Sequence, residues 1–137
     1  VPDLRLREAS FGAWEGMTTP EIGRQWPDLL AAWQADTVHT VPPGGESMAA
    51  VQARMTAFTR ELLVRYPDET LGLIGHGGAL RAVVALALGA DLTIFRRLRL
   101  DNCSVSIVTH LRDHFTLVRL NDVSHLRMPT AKDVGSG

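Results

Sequence analysis

The order of elements along this chain predicts an α/β fold built on a mixed sheet. Three observations carry that prediction. An amphipathic stripe runs over residues 47–66. A short apolar run at 71–74 turns through His-Gly-Gly into an almost wholly apolar helix. Two strand-like runs near the C-terminus are joined by a hairpin signal. The 137 residues suffice for one domain with a core, and 45% hydrophobic against 21% charged residues is ordinary globular composition.

Residues 1–16 read as an irregular opening that closes on FGAWEG. Thr18 and Glu21 have capping-box spacing with Pro20 in the first turn, which predicts a short helix to about Trp26, where Pro27 interrupts it. DLLAAWQA continues as a second short helix, and the Pro-Pro-Gly-Gly punctuation within residues 36–46 marks a loop. Ser47 is placed to cap a long helix reaching about Tyr66. Its apolar residues Met48, Val51, Met55, Phe58 and Leu62 recur at spacings of three and four, and Pro67 and Asp68 end it. LGLI at 71–74 reads as a buried strand. ALRAVVALAL reads as a helix packed on a sheet, with Gly89 as its C-terminal cap. SVSIVTH and HFTLVRL, joined by LRD, read as a hairpin. Residues 127–137 carry no core pattern and are expected to form a mobile tail. Three strands are few for a sheet buried on both faces.

Composition excludes several functions. A formal net charge of −1 leaves no basic surplus for nucleic acid. Arginine supplies every positive side chain except Lys132, a bias that suits phosphate contacts and equally a coding preference. Cys103 is the only cysteine, so no disulfide can form within the chain, as expected in a reducing compartment. No apolar stretch reaches the roughly 18 residues of a membrane helix. The opening residues lack the apolar run of a signal peptide. A cytoplasmic location with neither membrane nor nucleic-acid partner is expected.

The strongest chemical signal is LGLIGHGG. A strand that ends at His76 and turns into a helix puts that histidine at the carboxyl edge of the sheet, where α/β folds bind ligands. The helix N-terminus supplies free N–H groups and the positive end of a dipole, while Gly77 and Gly78 admit close backbone approach. A histidine so placed can accept a phosphoryl group, shuttle a proton or clamp an anion, and it can also simply cap the helix. Glu8 and Glu15 both flank the aromatic-glycine segment, where apolar rings can hold a carboxyl protonated for acid catalysis. A solvated surface glutamate is the plainer reading of each. PPGGES could cradle an anion or serve as an ordinary loop and cap. His110 and His114 have the i,i+4 spacing of a zinc pair, but strands rather than a helix flank them, so no metal site is expected. His39 and His125 have no cluster of ligand spacing around them. Trp14, Trp26 and Trp33 read as core or pocket lining.

Together these segments resemble the histidine phosphatase superfamily, the phosphoglycerate-mutase-like fold. LREASFGAWEG is similar to its acidic signature followed by Gly-x-Trp-Glu-Gly, PGGES to its middle segment, and LIGHGGALRAVV to its second catalytic histidine motif. LDNCSVSIV and LVRLNDVSHL resemble its closing strands. The resemblance implies a three-layer α/β/α sandwich with a mixed, mostly parallel sheet, of which residues 1–126 form the C-terminal part, without the N-terminal central strand. It implies that His76 contacts the transferred phosphoryl group, that the Gly77 N–H faces the ligand, and that Glu8 is the general acid and base; Glu15 becomes structural. No Arg-His-Gly triplet occurs, so the nucleophilic histidine is expected from a preceding segment or a second chain. The implied activity is hydrolysis of small phosphomonoesters through a phosphohistidine, with a small phosphorylated metabolite as ligand and no metal or cofactor, this chain alone being inactive. Two other readings stay open: phosphoryl transfer of the mutase type, and a non-catalytic binding or regulatory module with a residual phosphate pocket.

Overall fold

The computed structural model describes residues 2–112 and 114–126, and the expected mobile tail lies outside them. Four α-helices and one hairpin follow in chain order: α1 (Thr19–Gln25), α2 (Pro27–Ala35), α3 (Met48–Arg65), α4 (Gly77–Ala87), β1 (Val105–Leu111) and β2 (His114–Asp122). Short 3-10 turns occur at Leu4–Leu6, Gly12–Trp14, Leu92–Arg97 and Ser124–Leu126. Among the described residues no helix is long and apolar enough to cross a membrane.

Local chemistry sets the helix ends. The Glu21 carboxylate accepts from the Thr18 backbone N–H at 2.8 Å and from its hydroxyl at 2.6 Å, so α1 starts on a capping box. Pro27 stands at the first position of α2, where its missing N–H costs nothing. The Ser47 hydroxyl accepts from the Ala50 N–H at 3.1 Å and starts α3. Helix α4 closes with Gly89 at φ 57. The Gly89 N–H donates to Leu86 O and the Ala90 N–H to Ala85 O, both at 3.0 Å, which is the bond pair of a Schellman motif.

The core lies between α3 and α4. The stripe of α3 delivers Met48, Val51, Met55 and Phe58 against Ala79 and Ala82 of α4, with Ala9 closing the cluster. Small residues on α4 let the two helices approach closely, which explains its alanine-rich sequence better than contact with a sheet does. Phe11, Trp14 and Trp33 form a satellite cluster with edge-on ring contacts at 6.2 and 5.9 Å between centroids. The chain's opening is tied to α3 electrostatically. Arg5 binds Asp3 at 2.7 Å and Glu61 at 2.5 Å. The hydrogen bond from the Arg5 guanidinium holds the Asp3 carboxyl down at about 2.

The sheet differs from expectation. Among the described residues it consists of β1 and β2 alone, antiparallel, with a register irregularity between Val105 and Val108. The hairpin turn is reached through Arg112 at φ 48. No parallel strand pairing occurs among the described residues, and the strand expected at 71–74 is a segment without regular secondary structure, outside any ladder. Ile74 is 90% exposed and Leu71 42% exposed, so of the run's large side chains only Leu73 packs against the core. An apolar run becomes a strand only when a neighbour takes its backbone N–H and C=O groups, and no described segment does so. The expected seat of α4 on a sheet is corrected with it: α4 packs chiefly on α3 and only secondarily on β2.

Candidate functional site

The N-terminus of α4 gathers the sequence's chemical signals. His76 is the residue at the N-cap, in extended conformation at φ −106 and ψ 157. Its backbone carbonyl accepts from the Leu80 N–H at 2.9 Å. Its imidazole makes no capping bond and is exposed. The cap is supplied instead by Glu8. One carboxylate oxygen accepts from the Gly78 N–H at 3.0 Å. The other accepts from Ala79 N–H at 3.0 Å and Ala9 N–H at 2.9 Å. A negative charge here satisfies two orphan donors of the first turn and faces the positive end of the helix dipole. The anion position expected after His-Gly-Gly thus exists, and Glu8 fills it.

The two glycines differ in what surrounds them. A Cβ on Gly77 would meet nothing within 4 Å, so that backbone borders open space. A Cβ on Gly78 would run into the Glu8 carboxylate. The obstructed atoms are the far end of a flexible side chain, so replacement by alanine displaces Glu8 rather than the backbone. The expected result of Gly78→Ala is a small stability change, because about 1 kcal/mol of gained helix propensity offsets the lost charged hydrogen bonds. Any activity that needs a fixed Glu8 should drop about tenfold, a loss of ~1.4 kcal/mol. Urea unfolding alongside steady-state turnover checks both; equal activity with unchanged stability refutes the steric account.

His76, Gly75, Asp3 and Arg7 are among the residues that line a shallow groove of about 380 Å³. Arg7 donates to Glu46 at 2.8 Å, and Glu46 also binds Arg54. Burial works against the Glu46 charge, but the Arg54 guanidinium, the Ser10 N–H and the Arg7 charge outweigh it and hold the carboxyl below its ordinary value. Groove and helix end together present an imidazole, a guanidinium and a carboxylate on short, braced segments.

The remaining candidates resolve individually. The Glu15 carboxylate accepts from the Ser10 hydroxyl and the Phe11 N–H, both at 3.0 Å, so it shapes the turn beneath the aromatic cluster. PPGGES is a loop and cap pressed against residues 10–12, where a Cβ on Gly45 would strike the Ser10 carbonyl at 2.6 Å. His39 pairs with Asp36 at 2.9 Å. His110 and His114 flank the hairpin turn on opposite strands, and His110 contacts the Phe115 ring. Cys103 is exposed. Arg54 was missed in the sequence, and Gly78, singled out there for close approach to a ligand, makes room for Glu8 instead. The only signal for Arg54 was a charged residue at the edge of the apolar stripe of α3.

The family described as histidine phosphatase superfamily (branch 1) matches residues 1–123. The bifunctional protein Rv2228c of Mycobacterium tuberculosis is 38% identical over 120 residues, covering 88% of this chain and 33% of that protein. Phosphoserine phosphatase 1 of Hydrogenobacter thermophilus is 30% identical over 126 residues, covering 92% of this chain and 60% of that one. The solved structure of YhfR from Bacillus stearothermophilus superposes with a TM-score of 0.81 at 28% identity, covering 91% of this chain and 62% of its own. The chain therefore spans between one third and about two thirds of these relatives.

Proposed function

Because this chain belongs to the histidine phosphatase superfamily, we propose that it forms most of a phosphatase site that hydrolyses small phosphomonoesters through a phosphohistidine. One observation carries the reading. Glu8 and the turn after His76, separated by 70 residues between Glu8 and Gly78, meet at a single helix end. Those are the two motifs to which the resemblance gives chemistry. The phosphatase name of a relative 30% identical supports the same class.

In this reading a histidine from outside the chain attacks phosphorus. The His76 imidazole and the N–H of Gly77 meet the charge on the equatorial oxygens. Glu8 enters the first step as the carboxylic acid, gives its proton to the departing alcohol, and as the resulting carboxylate takes one from the water that hydrolyses the phosphohistidine. No metal takes part. Residues 1–126 would then be the C-terminal part of one domain, whose mostly parallel sheet and three-layer sandwich need a further strand along residues 71–75. A cytoplasmic location belongs to the same proposal.

The test uses the complete protein with phosphoserine and phosphoglycerates. Free phosphate is expected to accumulate, in EDTA as well as without it, and an acid-labile phosphoprotein is expected on rapid quenching. Isomerised phosphoglycerate without phosphate would instead establish a mutase. Phosphate binding without turnover would establish a binding module. Either result overturns the proposal.

A further inference from the structure

We infer that Arg54 and Glu46 are positioning residues for Glu8, a role that rests on the general-acid reading above. Glu8 lies on a segment with no regular secondary structure, and its carboxylate must still reach α4 within hydrogen-bond distance. Backbone anchors on both sides of it make that possible. The Arg54 guanidinium donates to the Arg5 carbonyl at 2.5 Å and to the Glu8 carbonyl itself at 3.2 Å. Glu46 holds the other side of the segment: its carboxylate accepts from the Ser10 N–H at 3.2 Å, and its own N–H donates to the Ser10 carbonyl at 2.8 Å. The two side chains are bonded to each other through Nε and a terminal nitrogen of Arg54, both at 3.3 Å.

Both groups are largely sequestered, with 13% of the Arg54 side chain and 18% of the Glu46 side chain exposed. Surface ion pairs of long side chains contribute little because ordering them costs entropy and salt screens them. A pair removed from solvent, with its donors and acceptors spent on three backbone groups of one short segment, fixes geometry instead. Arginine suits the position because its Nε and two terminal nitrogens, spread across one plane, reach two carbonyls and a carboxylate in fixed directions, where a lysine offers a single nitrogen. Ala9, between these anchors, is buried in the core cluster and adds an apolar contact that holds the segment against α3 and α4. With its backbone so held, Glu8 sets its carboxylate on the N–H groups of Gly78 and Ala79.

The readout is hydrogen exchange of the Gly78 and Ala79 amides in the complete protein, since these protons are protected by Glu8 and not by the helix ladder. In Arg54→Met, exchange at both amides should accelerate at least tenfold while amides at Val84–Ala87 deeper in α4 keep their protection. Arg54→Lys should fall between, and Glu46→Gln should repeat the effect more weakly even if Arg54→Met does not fold. Turnover is measured beside it, with kcat falling and KM within about twofold of the parent. Unchanged exchange at Gly78 and Ala79 in Arg54→Met, or in Glu46→Gln where that variant alone folds, overturns the inference. If Glu8→Gln retains full turnover while Arg54→Met loses the protection, positioning stands and the general-acid reading falls.

Discussion

Replacing Glu8 by glutamine in the complete protein should lower turnover of an alkyl phosphate by about 10²–10⁴-fold, the range a positioned proton donor supplies. The amide keeps the size of the side chain and one acceptor oxygen, so part of the helix cap survives. It cannot give a proton to the leaving oxygen or take one from water. The cap's loss of charge should cost about 1–2 kcal/mol of stability, which a urea titration reads separately. Leaving-group dependence makes the test specific. Nitrophenolate departs without much help from an acid, so the loss on nitrophenyl phosphate should shrink to about tenfold as Brønsted behaviour requires. A loss equal on both substrates would mean that Glu8 matters for structure alone. No loss on either would remove it from the chemistry.

That experiment also bears on what the sequence could and could not convey. The helices were legible because each carries its own stop and start chemistry: Thr18 with Glu21, Pro27, Ser47, and Gly89 in its left-handed turn. The hairpin was legible because its strands and turn are local. Residues 71–74 misled because an apolar run states a wish to be buried and says nothing of what will bury it; pairing is non-local, and no described neighbour supplies it. The site was half legible. His76 announced itself through its glycines. The arrival of Glu8 at Gly78 and Ala79, by contrast, depends on Arg54 and Glu46 bracing a segment with no periodic pattern. Sequence patterning pointed to both Gly77 and Gly78 for close approach, and the steric constraint falls on Gly78 alone. The difference between these adjacent glycines arises only from the fold, which brings Glu8 to one of them.

Replacement of His76 by alanine should separate activity from stability more cleanly still. The imidazole makes no capping bond and is exposed, while the backbone carbonyl that starts α4 stays in any variant. Stability should therefore change by less than about 0.5 kcal/mol, as for a surface substitution. Catalysis should change by about 10²–10³-fold, the cost of removing one preorganised donor from a developing oxyanion. The same donor would meet a bound phosphate oxygen, so inhibition by inorganic phosphate and by vanadate should weaken, and vanadate more, since its bound geometry is closer to the transition state. The order of those two losses decides the role. Equal weakening of both inhibitors with a preserved kcat would make His76 a uniform binding residue. Greater loss on vanadate together with a fall in kcat identifies a clamp that tightens as phosphorus is attacked. Turnover within threefold of the parent, less than about 1 kcal/mol on the barrier, would take His76 out of the reaction altogether.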